Sequence, residues 1–142
     1  MKESFSVDVY RILNRTCKKM KKDLHNKLVD SDITWPQFHA LYHIGEDEEG
    51  ISANELAKKL NCNASNMTGL IDRMIENNWV YREQSGQDRR VWFIKLTDEG
   101  KELREKLIPE HHRNIENYMS VLSDEELTTL KRLLEKLLQS ED

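Results

Sequence analysis

Asp88, Arg89 and Arg90 stand together in the stretch SGQDRRVWFIKLTDEG, residues 85–100. The Ser, Gly, Gln and Asp before the arginines are turn formers, and the residues after them read as a strand and then a helix start. Two adjacent guanidinium groups at a turn tip can hold phosphate, or one can pair with the neighbouring carboxylate while the turn stays solvated. A second group of polar side chains stands upstream in NASNMTGLIDRM, residues 63–74. Ser65, Asn66, Thr68, Gly69, Asp72 and Arg73 interleave there with Met67, Leu70, Ile71 and Met74, the spacing of a helix with one buried and one exposed face. His39 and His43 are four apart, a spacing that lets two imidazoles on one helix face share Zn²⁺, and His111 and His112 follow later. Catalytic patterns are absent. The chain has five glycines and no phosphate-cradling Gly-rich loop, no G-x-S-x-G, no HExxH and no CxxC, so an enzyme is the poorest reading of it.

The bulk properties narrow the setting for these groups. At 142 residues with 37% apolar and 34% charged residues, an elongated helical protein, or a dimer sharing its core, fits better than a compact monomer. No run approaches the length of an apolar membrane span. The N-terminal stretch has neither an apolar core nor a small-residue cleavage site, which sets the expectation of a cytoplasmic protein with free thiols at Cys17 and Cys62. The net charge of −4 conceals a pattern. Residues 1–43 carry eight basic and five acidic groups, and residues 52–97 carry seven and five. Residues 98–142 carry seven basic against twelve acidic groups, so the acidity lies in the tail and in the EDEE run before Gly50. A phosphate partner responds to this asymmetry more than to the total.

The elements that must position the polar groups follow from periodicity and caps. Phe5, Val9, Ile12, Leu13, Cys17, Met20, Leu24 and Leu28 mark one long amphipathic helix over 5–29, whose other face is basic. Thr34 with Gln37, Ser52 with Glu55, and Ser123 with Glu126 are capping boxes, and Asn63 is a further N-cap. They predict a helix from Trp35 to Ile44, two short helices joined by the NCN turn, and a last helix carrying Leu127, Leu130, Leu133, Leu134, Leu137 and Leu138. Between them, Trp79–Glu83 and Arg90–Thr97 read as a hairpin with Trp92, Ile94 and Leu96 on one face. Thr97 caps a fifth helix that Pro109 should kink or break. The expected class is mainly α with a small β-hairpin wing: a helix-turn-helix with a hairpin beside it, flanked by long helices.

This order of parts, with ITWPQFHAL, ANELAKKLNCNASNMTGLIDRMIENNWVYR and QDRRVWFIKLTDEGKEL, resembles the MarR family of bacterial transcription regulators along essentially the whole chain. The resemblance implies one domain over 1–142. Helices at 5–29 and 98–139 would form a homodimer, and the winged helix-turn-helix at 34–97 would bind a pseudo-palindromic double-stranded DNA operator. It further implies that Arg90 is the wing arginine of the minor groove, that Asp88 orients the tip, and that Arg89 touches phosphate or water. Ser65, Asn66 and Thr68 would face base edges, Gly69 would let the backbone approach closely, and Arg73 would hold a phosphate or brace the wing. Thr34 and Gln37 would offer donors to phosphate, although capping explains them equally well.

Members of the family usually release DNA when a small molecule, an oxidant or a metal acts on them, and three sensors are open here. Tyr10, Trp35, Phe38, His39, Tyr42 and His43 could line an apolar pocket with polar tips for an aromatic or phenolic ligand, or simply pack as core. His39 and His111 align with two zinc-ligand positions of a zinc-sensing branch, but Phe38, Leu107 and Asn26 occupy the others; no metal is favoured and no cofactor is expected. Tyr10 occupies the reactive-cysteine position of a peroxide-sensing branch. Cys17 and Cys62 remain weak redox candidates against the reading of both as small buried hydrophobes. The rival to a ligand-released repressor is a winged helix used only for protein contact.

Overall fold

Side-chain caps start most of the helices, as the sequence requires. In the computed structural model, which describes residues 4–28 and 32–140, the elements are α1 (Phe5–Leu28), α2 (Trp35–Ile44), β1 (Ile51–Ser52), α3 (Ala53–Leu60), α4 (Ala64–Glu76), β2 (Val80–Gln84), β3 (Trp92–Leu96), α5 (Asp98–Met119) and α6 (Asp124–Leu138). Val29, the expected last residue of the first helix, lies outside the described residues. Thr34 and Gln37 form the full reciprocal box at α2: the Gln37 N–H donates to Thr34 Oγ1 at 3.3 Å and the Thr34 N–H to Gln37 Oε1 at 3.0 Å. Ser123 and Glu126 do the same at α6. Ser52 accepts from the Glu55 N–H at 3.2 Å, which is half of the expected box. Asn61 closes α3 in the left-handed region (φ 52°), a conformation Asn tolerates better than most residues.

The chain forms two units, residues 1–111 and 112–142. The core belongs to the first and is built from Leu28, Ile33, Phe38, Leu41, Ile44, Leu56, Met67, Ile71, Met74, Val80, Ile94 and Leu107, all buried. The sheet runs β1-β3-β2, antiparallel throughout. β1 is absent from the sequence reading because two residues cannot show an alternation; pairing of Ile51 with Ile94 defines it. Ahead of it the acidic turn ends at Gly50, whose positive φ of 82° lets the chain pass the Ile94 carbonyl where a Cβ would lie 2.4 Å from the oxygen. In the second unit, no described residue is buried.

Trp92 shares the strand face of Ile94 and Leu96, as expected, and stands 49% exposed because β3 runs past the edge of the core before reaching it. Three expectations change. Residues 90 and 91 belong to the turn rather than the strand, since the Val91 N–H closes onto the Asp88 carbonyl. Pro109 neither ends nor breaks α5, which continues to Met119; only one backbone bond is forfeited, and fully buried Leu107 anchors the preceding turn. Cys17 is exposed, not a buried hydrophobe, because the apolar stripe of α1 meets the core only at Leu24 and Leu28. Among the described residues no helix is long and apolar enough to cross a membrane.

The wing is tied to α5 through Thr97, whose N–H donates to the Trp79 carbonyl and whose Oγ1 caps the Gly100 N–H at 3.0 Å. Gly100 lies so close that a Cβ would fall 2.0 Å from the Trp79 oxygen. Gly100→Ala should therefore lower stability by about 1–3 kcal/mol through overpacking, although alanine is the better helix former. An unchanged urea midpoint would disprove the constraint.

Candidate nucleic-acid interface

Met67, Ile71 and Met74 recur every three or four residues along α4 and are all buried, which turns the opposite side of the helix outward. Ser65, Asn66, Thr68, Asp72 and Arg73 are exposed on that side. At half-buried Gly69 a Cβ would have no neighbour within 4 Å, so nothing in the fold itself demands glycine there and the helix surface is open to a close approach. The Ser65 hydroxyl donates to Asn63 Oδ1 and the Thr68 hydroxyl to the Ala64 carbonyl, each at 3.0 Å. Their protons are committed locally, and both oxygens present lone pairs outward as acceptors. Asn63 also caps the Asn66 N–H at 2.9 Å, leaving the Asn66 carboxamide without a hydrogen bond among the described residues.

The hairpin tip is ordered by a local network. Ser85 Oγ accepts from the N–H groups of Gln87 and Asp88, and the Gln84 carboxamide donates to the Arg89 carbonyl at 2.7 Å. Asp88 Oδ1 accepts from the Arg90 N–H at 3.0 Å and from Arg90 Nε at 3.2 Å. The backbone bond first, and the guanidinium second, hold the Asp88 carboxyl below its ordinary range. This is the predicted partnership of Asp88 with a nearby arginine. Arg90 nonetheless projects with 91% of its side chain exposed, and Arg89 is exposed beside it. An ion pair so open contributes little stability and can exchange its carboxylate for another anion.

Asp72 and Arg82 connect the two parts. Arg82 Nη2, on β2, donates to Asp72 Oδ1, on α4, at 2.9 Å. Of the two roles expected of Arg73, a phosphate contact or a wing brace, the second falls to Arg82, and Arg73 stays exposed with no ion pair among the described residues. Arg82 was legible only as a strand residue, since nothing local indicates what it faces across the fold. Asp72 and Asp88 are thus each paired with an arginine, while Arg73 and Arg89 face outward. Of the predicted phosphate donors at α2, Thr34 is exposed, whereas Gln37 is buried and its carboxamide oxygen is engaged in the cap.

The α2 aromatics form a stack. Trp35 lies 4.3 Å from the His25 ring, nearly parallel to it, and contacts Phe38, His39 and His111; His43 contacts His39 and Tyr42. His25, at the end of α1, belongs to this stack and was missed by the sequence reading. Tyr10 does not: it is exposed and fifteen residues before His25, about 22 Å along a helix. His39 and His111 both touch Trp35, but among the described residues no group of three or more His, Cys, Asp or Glu side chains could hold a metal. Cys62 is half-buried against the core. A cavity of about 230 Å³ lies elsewhere, lined by Tyr81, Lys95, Lys101 and Arg104 among others. Arg104 there donates to the Tyr42 carbonyl at 3.0 and 3.1 Å and so satisfies the last turn of α2.

The MarR family model matches residues 33–92, from the residue before the α2 cap to the start of β3. A MarR family protein from Bacillus stearothermophilus is 31% identical in sequence, with 98% of this chain and 96% of that one superposed at a TM-score of 0.77. The chain belongs to the MarR family. The transcriptional repressor MprA of Escherichia coli (strain K12) is 29% identical over 136 residues, which covers 92% of this chain and 77% of MprA. The MepR–DNA complex of S. aureus is 28% identical and superposes over 99% of this chain and all of that one at a TM-score of 0.78. This MarR-family chain is accordingly a DNA-binding transcriptional regulator of winged-helix fold.

The imidazole stack makes the stability of this MarR-family regulator depend on pH. Burial, and then the charge of Lys21, pushes the His25 pKa below its ordinary 6.5. Burial, and then His43, His25 and Lys21, does the same for His39. The folded state therefore binds fewer protons than the unfolded chain below about pH 6.5, and stability falls as pH drops from there toward the lowered values. Urea midpoints measured from about pH 8 down to about pH 5.5 should fall, and His39→Gln should flatten the decline. An acid-insensitive midpoint would show the imidazoles to be unperturbed.

Proposed function

We propose that this regulator is a homodimeric repressor that reads a pseudo-palindromic operator and leaves it when a small aromatic or phenolic molecule binds. The observation that carries the reading is the pairing of two exposed surfaces through Asp72 and Arg82: the polar side of α4 and the arginine-bearing hairpin tip. α4 enters the major groove with Ser65, Asn66 and Thr68 toward base edges and Gly69 allowing close approach. Arg90 enters the flanking minor groove, where negative potential is concentrated, while Arg73, Arg89 and the α2 start at Thr34 hold phosphates. The likeness to a DNA complex of MepR and to the repressor MprA supports this reading.

Dimerisation is supported by apolar surface that one copy leaves in water. On α1, Phe5 is 81% exposed and Val9 and Ile12 are also exposed. On α6, Leu133, Leu137 and Leu138 are exposed. A second copy covering each surface gives the second half-site reader that a pseudo-palindrome requires. The effector site is assigned to the α2 stack, where Trp35, His39 and His43 combine apolar faces with polar ring atoms.

Fragments of genomic DNA selected by the wild-type protein and by Arg90→Ala at near-physiological salt test the reading. The wild type should recover one or a few short pseudo-palindromes; Arg90→Ala should lose them, with a salt slope smaller by about 1. Equal recovery by both proteins would dismiss the interface. Ile12→Glu combined with Leu137→Glu should move the sedimenting species from dimer to monomer; an unchanged species would refute the proposed dimer surface.

A further inference from the structure

Trp92 is a large aromatic left half in water, and among the described residues no other ring stacks on it. Its place in the sheet register gives this exposure a direction. Trp92 pairs with Gln84, Ile94 with Arg82 and Leu96 with Val80, and residues directly opposed in an antiparallel ladder share a face. Arg82 on that face reaches Asp72 of α4, so it is the face turned toward the recognition helix. Leu96 and Ile94 are buried along it, and Trp92 comes next, beyond the rim of the core. Two residues further on, Arg90 extends the exposed guanidinium of the tip. The hairpin thus presents an indole between the recognition helix on one side and the wing arginine on the other.

We propose that Trp92 packs against the sugar–phosphate strand that separates the two grooves of the bound duplex. This rests on the interface proposed above: with α4 in one groove and Arg90 in the next, the strand between the grooves must cross the hairpin where Trp92 stands. The indole offers an apolar face to deoxyribose and one N–H donor to a phosphate oxygen. It carries no charge and reads no base edge, so it releases no counterion and contributes alike to every sequence. It therefore differs from Arg89 and Arg90, whose contributions are ionic.

The test uses the duplex most enriched by the wild-type protein from genomic DNA, titrated over a salt series with wild type, Trp92→Ala, Trp92→Phe and Arg90→Ala. Trp92→Ala should bind about tenfold more weakly at every salt concentration, with the wild-type salt slope. Trp92→Phe should lie between, and Arg90→Ala should flatten the slope. Iodide quenching of the Trp92 fluorescence, taken as wild type minus Trp92→Phe, should fall when the duplex is added. Wild-type affinity in Trp92→Ala alongside a weakened Arg90→Ala would overturn the Trp92 contact and leave the interface standing. A wild type that fails to bind the duplex would overturn both. Should Trp92→Ala fail to fold, the quenching comparison decides: unchanged iodide access on the duplex rejects the proposal.

Discussion

The burial of Met67, Ile71 and Met74 on one side of α4 is the constraint on which the rest depends. A helix rotates freely about its axis until one side is committed to a core, and three large side chains at helical spacing commit it. Every exposed position of α4 follows from that rotation. A turn of the helix by one residue, roughly 100°, would bury Thr68 and expose a methionine, which the close-packed core would not accept.

The hairpin obeys a second constraint that is weaker in energy but more exacting in geometry. Its base is buried through Val80, Ile94 and Leu96, and its middle is joined to α4 by the Asp72–Arg82 pair. An exposed ion pair of this kind adds little to stability. Its effect is positional: it selects one angle of the strands relative to the recognition helix. Beyond that point the tip holds its shape by itself, through Ser85, Asp88 and Gln84 bonding to the turn's own backbone. The backbone that carries Arg90 is therefore braced, while its side chain projects into water.

The α2 helix faces both concerns. Its buried residues Phe38, Ala40, Leu41 and Ile44 join the core, while its half-buried Trp35 stacks on His25 at the end of α1 and meets His111 of α5 edge-on. A change in the packing or charge of this stack acts on three helices of the first unit. That is the physical basis for proposing a signal site there rather than at Cys17, which is exposed on α1 and makes no ring contact with the stack.

The sequence by itself determined the local structure. Caps at Thr34, Asn63 and Ser123 set helix starts because a side-chain oxygen bonding an N–H two or three residues on is a local event. The inner side of α4, the turn at Asn61, the arginine-bearing tip and the family likeness were legible for the same reason: each rests on neighbours within a few residues. Only the tertiary structure decided which distant groups meet. Arg82 rather than Arg73 braces the wing, His25 joins the α2 rings while Tyr10 does not, Arg104 caps α2, and Gly100 yields to the Trp79 carbonyl. These contacts join residues ten to sixty-two positions apart, and no periodicity encodes them. The continuous helix through Pro109, the two-residue strand β1 and the exposed Trp92 were also decided there, because packing against other elements overrides a local preference worth a few kcal/mol or less.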